Sequence, residues 1–288
     1  MPYKIFEGFG EIASQYDLAL IDLWGVVHDG TRPYSNALDC LDRMRTAGIE
    51  RILLSNAPRR ADAVRQQIDG IGVPASAYDG IVSSGEITYH ALRRGIPELE
   101  NRNRFRYIGP PKDAQLLAGL EYQEAAALDG ADFLLVTGFR NDETETVADY
   151  ETELQVARNR DMPLICANPD LSVMRGPLTL LCAGALAAHY ADIGGHVVQF
   201  GKPYAPAYDA CIGARDLPLS RVVAVGDSPR TDIAGANAFG IDAVFVAGGL
   251  YRADVGDPID EQRLDRFLKA SGTHPIGVLP ALQWSASV

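Results

Sequence analysis

The feature that most constrains this sequence is a regular alternation of short apolar runs with amphipathic stretches. Several of the runs are continuous in Val, Ile, Leu and Ala, which is typical of parallel strands that are covered on both faces. The stretches between them repeat apolar residues with the period of a helix. The alternation therefore predicts an α/β architecture with a doubly wound parallel sheet.

The predicted strands are 18–23, 51–55, 80–83, 133–137, 164–167, 197–200, 222–226 and 243–246. The predicted helices are 35–46, 59–69, 86–94, 144–160, 178–193, 204–215 and 231–239.

The length of 288 residues suggests two domains, at roughly 150 residues for a typical domain. The middle of the chain carries enough strands and helices for a small α/β domain of its own. Its two edges lie near turn-forming residues, at 83–85 and at 194–195. We therefore expect a discontinuous core domain, residues 1–83 and 196–288, into which a second α/β domain, residues 84–195, is inserted.

The net charge of the chain makes some classes of binding partner unexpected. The chain has 26 basic and 38 acidic residues, a net charge of −12, which argues against nucleic acid or an anionic membrane as a partner. No apolar run approaches the roughly 20 residues of a membrane span, and the first residues lack the pattern of a signal peptide. The four cysteines have no CxxC spacing, which is typical of reduced thiols. These patterns predict a cytoplasmic protein.

Polar side chains follow several of the predicted strands at the point where each strand ends. In open α/β sheets ligands bind just beyond these carboxyl ends, so we expect the side chains to share one rim. The lysine among them stands out because the chain has only four lysines against 22 arginines. The rim residues are Asp22, Ser55, Asn56, Lys202, Asp227 and Asp232.

These residue types suit phosphoryl chemistry. Two carboxylates from different strand ends can hold Mg²⁺ through oxygen. A hydroxyl, a lysine ammonium and helix N-terminal amides can hold a phosphate, and a carboxylate can attack phosphorus as a nucleophile. Taken singly, each residue could equally be a turn or helix-cap residue. The occurrence of all six residues together on one rim favours a functional site.

Four segments carry a resemblance to a known family: DLWGVVHDG, LLSNAPRR, GKPYAPAYD and GDSPRTDIAGA. In this order they resemble the haloacid dehalogenase superfamily of aspartate-nucleophile hydrolases. The insertion is similar to a class IIA cap, as in p-nitrophenylphosphatases and sugar or nucleotide phosphatases. The segment ICANPD is similar to that branch too, so Asp170 is either a turn residue or a contact to substrate. The resemblance implies a Rossmann-like parallel core and an α/β cap.

The resemblance also implies roles. Asp22 would be the nucleophile that becomes an aspartyl phosphate and also a metal ligand. Ser55 and Asn56 would bind the phosphate. Lys202 would pair the nucleophile with the phosphate.

The cofactor implied is Mg²⁺. Its ligands would be Asp22, Asp227 and the main-chain carbonyl of Trp24, with Asp232 in the second shell or acting through water. The family also implies a homodimer through the cap.

The sequence departs from the family pattern at Trp24. Phosphatases of this superfamily normally have a second aspartate there, which protonates the leaving group and later activates water. An indole N–H can do neither. Three explanations stay open: a substrate with a good leaving group, such as an acyl or aryl phosphate; another acid, such as His28, Asp29 or a cap residue; or a loss of most catalysis. Dehalogenation is disfavoured because Asp227 and Asp232 keep the metal-site pattern.

The function implied is a Mg²⁺-dependent phosphatase of small phosphorylated metabolites. The alternatives are a catalytically weakened protein that binds or senses a phosphorylated ligand, and a phosphotransferase.

Overall fold

The computed structural model describes residues 3–176, 178–213 and 215–285, and its strands and helices alternate along the chain. The strands are β1 (Lys4–Ile5), β2 (Leu18–Ile21), β3 (Glu50–Ser55), β4 (Gly80–Ser83), β5 (Arg104–Ile108), β6 (Gln123–Glu124), β7 (Phe133–Val136), β8 (Leu164–Cys166), β9 (Ser172–Arg175), β10 (Leu178–Leu181), β11 (Val197–Gln199), β12 (Val222–Gly226), β13 (Asp242–Val246) and β14 (Gly277–Leu279). The α-helices are α1 (Ser35–Thr46), α2 (Ala61–Gly70), α3 (Ser84–Arg94), α4 (Glu151–Asn159), α5 (Ala183–Asp192), α6 (Ala205–Ile212), α7 (Ala234–Phe239), α8 (Arg252–Val255) and α9 (Glu261–Ser271).

The larger sheet has seven strands in the order β1-β14-β13-β12-β2-β3-β4, and its pairs are parallel. Both faces of its central strands are buried. Leu18 and Leu20 of β2 pack into one apolar cluster, and Ala19 and Ile21 pack into the other. Because side chains alternate between the faces of a sheet, burial on both sides requires a continuous apolar run. The predicted α/β fold with a parallel sheet is confirmed.

The smaller sheet has five parallel strands in the order β11-β8-β7-β5-β6, and β9 and β10 form a separate antiparallel hairpin. These strands lie between β4 and β12 in the chain, as an inserted unit should. The prediction ended the insertion at residue 195, but Val197–Gln199 forms the edge strand of the smaller sheet. We propose that the inserted unit, called the cap below, spans 84–199.

Several element boundaries differ from the prediction. The helix predicted over 178–193 is wrong at its start, because Leu178–Leu181 pairs with β9 and the helix begins only at Ala183. The helix predicted over 144–160 is a short 3₁₀ turn, Val147–Tyr150, that leads into α4. The predicted strands did not include β1, β5, β6, β9 or β14, which are short or partly exposed.

Within the described residues, no helix is both long enough and apolar enough to span a membrane.

Candidate active site

A single cavity of about 150 Å³ brings together the residues that the sequence predicted for the site. It lies at the carboxyl ends of β2, β3 and β12, where Ile21 pairs with Leu53 on one side and with Val225 on the other. The residues that follow these positions therefore emerge side by side. The predicted residues that line the cavity are Asp22, Trp24, Ser55, Asn56, Lys202, Asp227 and Asp232.

Lys202 joins two of the carboxylates. Its Nζ donates to Asp22 Oδ1 at 2.5 Å and to Asp232 Oδ1 at 2.7 Å, and its side chain is buried. Burial works against a charged amine, but the carboxylates of Asp22, Asp232 and Asp170 outweigh it and hold the Lys202 pKa well above its usual value. The lysine is therefore a fixed positive charge inside the site.

Asp22 lies directly after β2, and its backbone N–H donates to the Val225 carbonyl at 2.9 Å. Burial raises the pKa of its carboxyl to about 7; Lys202 opposes the rise and Asp232 adds to it. Only one of its two oxygens, Oδ1, is bonded to the lysine. The carboxylate is thus held in place at one oxygen, and within the described residues its other oxygen has no hydrogen-bond partner.

Asp227 follows β12 and is held by tight backbone packing. Its Oδ2 accepts from the Leu250 N–H at 2.6 Å. Gly25, at φ +77°, comes so close that a Cβ there would lie 2.1 Å from the same oxygen. Burial, followed by the charges of Asp22 and Asp232, raises the pKa of Asp227 well above its usual value. A cation bound beside Asp227 would favour its ionised form.

The three carboxylates fit a divalent cation. One oxygen each from Asp22, Asp227 and Asp232 lies within 4.8 Å of the others. If all three are ionised, Lys202 leaves a net charge of −2, which one Mg²⁺ would balance. The Trp24 carbonyl accepts no backbone hydrogen bond from another described residue, so it is available as the further oxygen that was predicted.

Ser55 and Asn56 end β3 beside the lysine. Ser55 is buried, and its Oγ accepts from the Ala57 N–H at 3.2 Å. The Asn56 amide bonds to both backbone groups of Lys202: its Oδ1 accepts from the N–H at 2.8 Å, and its Nδ2 donates to the carbonyl at 3.1 Å. Asn56 thus fixes the position of Lys202 as well as lining the predicted phosphate site.

Asp170 is the cap residue that reaches the core site. Asn56 Nδ2 donates to Asp170 Oδ1 at 2.9 Å, and an Arg230 guanidinium donates to the carbonyl of Pro169. From the sequence, Asp170 was expected to be either a turn residue or a contact to substrate. The structure places Asp170 in the same cavity as Asp22 and Lys202. The sequence could not show this contact.

The Trp24 ring packs onto its own loop. Its ring lies so close to Gly30, at φ +89°, that a Cβ there would be 2.2 Å from Cζ3. It also contacts the His28 ring edge to face, with 5.0 Å between centroids. The tryptophan therefore forms part of the cavity wall and has no acidic group to offer.

His28 and Asp29 do not replace the missing acid. His28 is buried, burial lowers its pKa to about 4, and its Nδ1 accepts from the Gly30 N–H at 2.9 Å. Asp29 Oδ1 accepts from the Thr31 hydroxyl and N–H and from the Arg32 N–H, and these bonds lower its pKa to about 2. Neither residue lines the cavity. Among the three acids considered, a cap residue remains, beside the explanations of a good leaving group and of a loss of most catalysis.

Part of the cavity lining is apolar. The hairpin β9–β10 and the segments beside it supply it, together with the charged pair of Asp142 and Arg175. The apolar lining residues are Phe139, Leu171, Val173, Met174, Leu180 and Leu181.

Comparison with known proteins agrees with this architecture. The model of the family described as haloacid dehalogenase-like hydrolase matches residues 19–123, and a model described as HAD-hydrolase-like matches residues 199–268. A solved hydrolase of the haloacid dehalogenase-like family from Brucella suis 1330 shares 35% identity. That match covers 96% of this chain and 99% of the other, with a TM-score of 0.84.

Fold and site together place the chain among hydrolases whose parallel sheet carries an inserted cap. The chain belongs to the haloacid dehalogenase-like hydrolase family, which confirms the resemblance seen in the four motifs.

Two further comparisons concern phosphatases. A D-glycerol 3-phosphate phosphatase of Mycobacterium tuberculosis is 28% identical over 251 residues, 84% of this chain; the match spans 66% of that relative's length, slightly less than two thirds. A glycerol phosphate phosphatase of the same organism was solved in complex with calcium and with magnesium. The calcium complex is 25% identical, with a TM-score of 0.62, and covers 83% of this chain and 68% of that one. The magnesium complex is 24% identical, with the same TM-score, and covers 83% and 70%.

Proposed function

We propose that this protein is a Mg²⁺-dependent phosphatase of small phosphorylated metabolites that acts through an aspartyl phosphate on Asp22. The observation that carries the proposal is the Lys202 ammonium. It is bonded to Asp22 and Asp232 within the cavity that Ser55 and Asp227 also line. A buried lysine bonded to a carboxylate can hold a phosphoryl group beside a nucleophile.

The chemistry follows from these positions. Asp22 would attack phosphorus through the oxygen that the lysine leaves free, and the bond from phosphorus to the leaving oxygen would break. Lys202 and the Ser55 hydroxyl would bind the phosphoryl oxygens, and water would then hydrolyse the aspartyl phosphate. Mg²⁺, when bound by Asp22, Asp227 and the Trp24 carbonyl with Asp232 close by, would supply further positive charge for the phosphoryl oxygens.

The cap supports a small organic substrate. The cavity volume of about 150 Å³ suits a compact leaving group. The hairpin lines the cavity with apolar side chains and with Arg175, which is paired with Asp142. The name of the M. tuberculosis relative makes glycerol 3-phosphate a first substrate to test. A cap that covers the strand ends would also exclude bulk water from the aspartyl phosphate.

We expect Mg²⁺-dependent release of inorganic phosphate from some members of a panel of sugar, polyol, nucleotide and aryl phosphates. Removal of metal with a chelator should lower the rate by about 10²–10³-fold, because the carboxylates then repel the substrate dianion and the metal's charge is lost. Malachite-green detection of phosphate, with and without chelator, measures both effects. Restoring activity with Mg²⁺ is the control.

A second candidate function rests on Trp24, which removes the usual acid from the first motif. A protein that only binds phosphorylated ligands would show saturable binding by calorimetry without phosphate release from any member of the panel. That result would contradict the phosphatase proposal and favour a sensor. Transfer of the phosphoryl group to an added alcohol in place of water would favour a phosphotransferase.

We also propose a cellular location for the protein. The four cysteines are buried and unpaired, in keeping with a reducing, cytoplasmic location. A homodimer through the cap stays a prediction, which light scattering of the purified protein would test.

A further inference from the structure

The cavity lacks a proton donor in the first motif, because Trp24 occupies that position. Hydrolysis of an alkyl phosphate releases an alkoxide unless its oxygen is protonated, and a positioned acid is typically worth about 10²–10⁴-fold. An enzyme that acts on alkyl phosphates therefore needs a substitute for the missing aspartate. Carboxylates that line the cavity are the natural candidates, and within the described residues they are Asp22, Asp113, Asp142, Asp170, Asp227 and Asp232.

Five of these carboxylates are committed to other partners. Asp22, Asp227 and Asp232 form the cluster around Lys202 and the proposed metal. Asp113 accepts from Arg59 Nε at 2.5 Å, and Asp142 accepts from Arg175 Nη2 at 2.5 Å. Transfer of a proton from either of these two would require its ion pair with arginine to be broken.

Asp170 differs from the other five in its bonding. Its Oδ1 accepts from Asn56 Nδ2 at 2.9 Å, a neutral amide. Its Oδ2 has no hydrogen-bond partner among the described residues of the chain. One oxygen is therefore held still while the other is available to a ligand.

The position of Asp170 suits a leaving group. Asn56, which holds it, follows Ser55 directly and also bonds the backbone of Lys202. The carboxyl thus stands beside the proposed phosphate site, but it comes from the cap, whereas the nucleophile Asp22 comes from the core. Asp170 and Asp22 therefore line one cavity from two different units, as a proton donor and a nucleophile on opposite sides of phosphorus would require.

The surroundings of Asp170 favour its protonated form. Burial raises the pKa of the carboxyl; Lys202 and the Asn56 amide oppose the rise, Asp232 adds to it, and Arg230 opposes it. The combined effect is that the pKa of the Asp170 carboxyl is raised. A raised pKa is what a general acid needs in order to hold a proton near neutral pH.

We propose that Asp170 is the general acid and base of this enzyme, taking the place of the aspartate that Trp24 replaces. The inference rests on the proposed phosphatase function. In the first step the Asp22 oxygen bonds to phosphorus, the ester P–O bond breaks, and the leaving oxygen takes the proton of Asp170. In the second step the water oxygen bonds to phosphorus and Asp170, now a carboxylate, accepts a proton from that water. The bond between phosphorus and the Asp22 oxygen breaks, and Asp22 leaves as a carboxylate. The products are an alcohol and inorganic phosphate, with both aspartates restored.

The test is the dependence of rate on the leaving group in the variant Asp170→Asn. The asparagine keeps an oxygen that can accept from Asn56, so the contact between cap and core is preserved while the transferable proton is lost. We expect kcat/KM for an alkyl phosphate to fall by about 10²–10³-fold. For p-nitrophenyl phosphate, whose leaving group needs little protonation, the fall should be less than about tenfold. A plot of log kcat/KM against leaving-group pKa should become steeper.

The matched control is Asp142→Asn, which changes a carboxylate of the same cavity that is paired with Arg175. We expect its leaving-group dependence to match that of the unaltered protein. An equal loss for both substrates in Asp170→Asn would make Asp170 a positioning residue and overturn the proposal. A loss for neither substrate would overturn it too.

A second measurement does not depend on the variant. With an acid in place, the unaltered protein should hydrolyse alkyl and aryl phosphates with only a shallow dependence on leaving-group pKa. A steep dependence in the unaltered protein would overturn the role of Asp170 while leaving the phosphatase function intact. Release of phosphate from no ester at all would instead overturn the proposed function, and this inference with it.

Discussion

Replacing Asp22 by Asn is expected to abolish phosphate release, with kcat falling by at least about 10⁴-fold. The amide cannot attack phosphorus, so the two-step route through an aspartyl phosphate is closed. The change is nearly isosteric, and Lys202 Nζ can still donate to the amide oxygen. Phosphate release under saturating substrate measures the loss. Retention of more than a few per cent of the activity would exclude Asp22 as the nucleophile.

The same variant is expected to unfold at a temperature at least as high as that of the unaltered protein in metal-free buffer. The pKa of Asp22 is raised to about 7 in the folded chain from an ordinary value of 3.8. The folded state therefore binds the proton more tightly, and stability is lost as the pH rises from about 4 through about 7. Asn cannot ionise, so the variant does not lose this stability as the pH rises. Thermal unfolding at pH 5 and pH 8 in the presence of chelator measures the difference.

Replacing Lys202 by Met is expected to reduce both stability and activity. The methionine fills a similar volume but leaves three buried carboxylates without their cation. Breaking a buried ion pair by removing one partner typically costs about 3–5 kcal/mol. Phosphate release should fall by about 10²–10³-fold or more, because a fixed positive charge on the phosphoryl oxygens is lost. Denaturant unfolding in chelator measures the stability.

The control for this variant is Lys269→Met. Lys269 is exposed and pairs with Asp265 one helical turn away, a contact typically worth about 0.3–0.5 kcal/mol. Added Mg²⁺ should recover part of the stability lost by Lys202→Met, because a divalent cation restores positive charge among the carboxylates. A Lys202→Met protein as stable as the control variant would show that the lysine does not hold the cluster together.

The core of the fold was accessible from the sequence because its strands are buried on both faces. The apolar run of β12 and the amphipathic pattern of α1 match the predicted ranges at both ends. In contrast, β5 places the exposed Arg104 beside the buried Phe105 and leaves no continuous run. The segment Leu178–Leu181 was assigned to a helix because only its pairing with β9 distinguishes it from the helical pattern that follows.

The core half of the site was predictable and the cap half was not. Asp22 and Asp227 follow neighbouring strands of one sheet, and parallel topology alone brings such residues together. The contact between Asn56 and Asp170 joins residues 114 positions apart on different units. No local pattern encodes how the cap sits on the core. The sequence could therefore offer Asp170 only as a turn residue or a substrate contact, and the structure places it in the cavity with Asp22.

The position of β2 between β3 and β12 has a consequence for how the protein is made. β2 ends at Ile21, but its partner on one side, β12, begins at Val222, after the whole cap. At about 5–20 residues per second, a ribosome needs roughly 10–40 s to make the intervening chain. During that time one edge of a fully apolar strand has no partner, and such edges invite aggregation. The central pair of β2 and β12 can therefore form only after the whole cap has been synthesised.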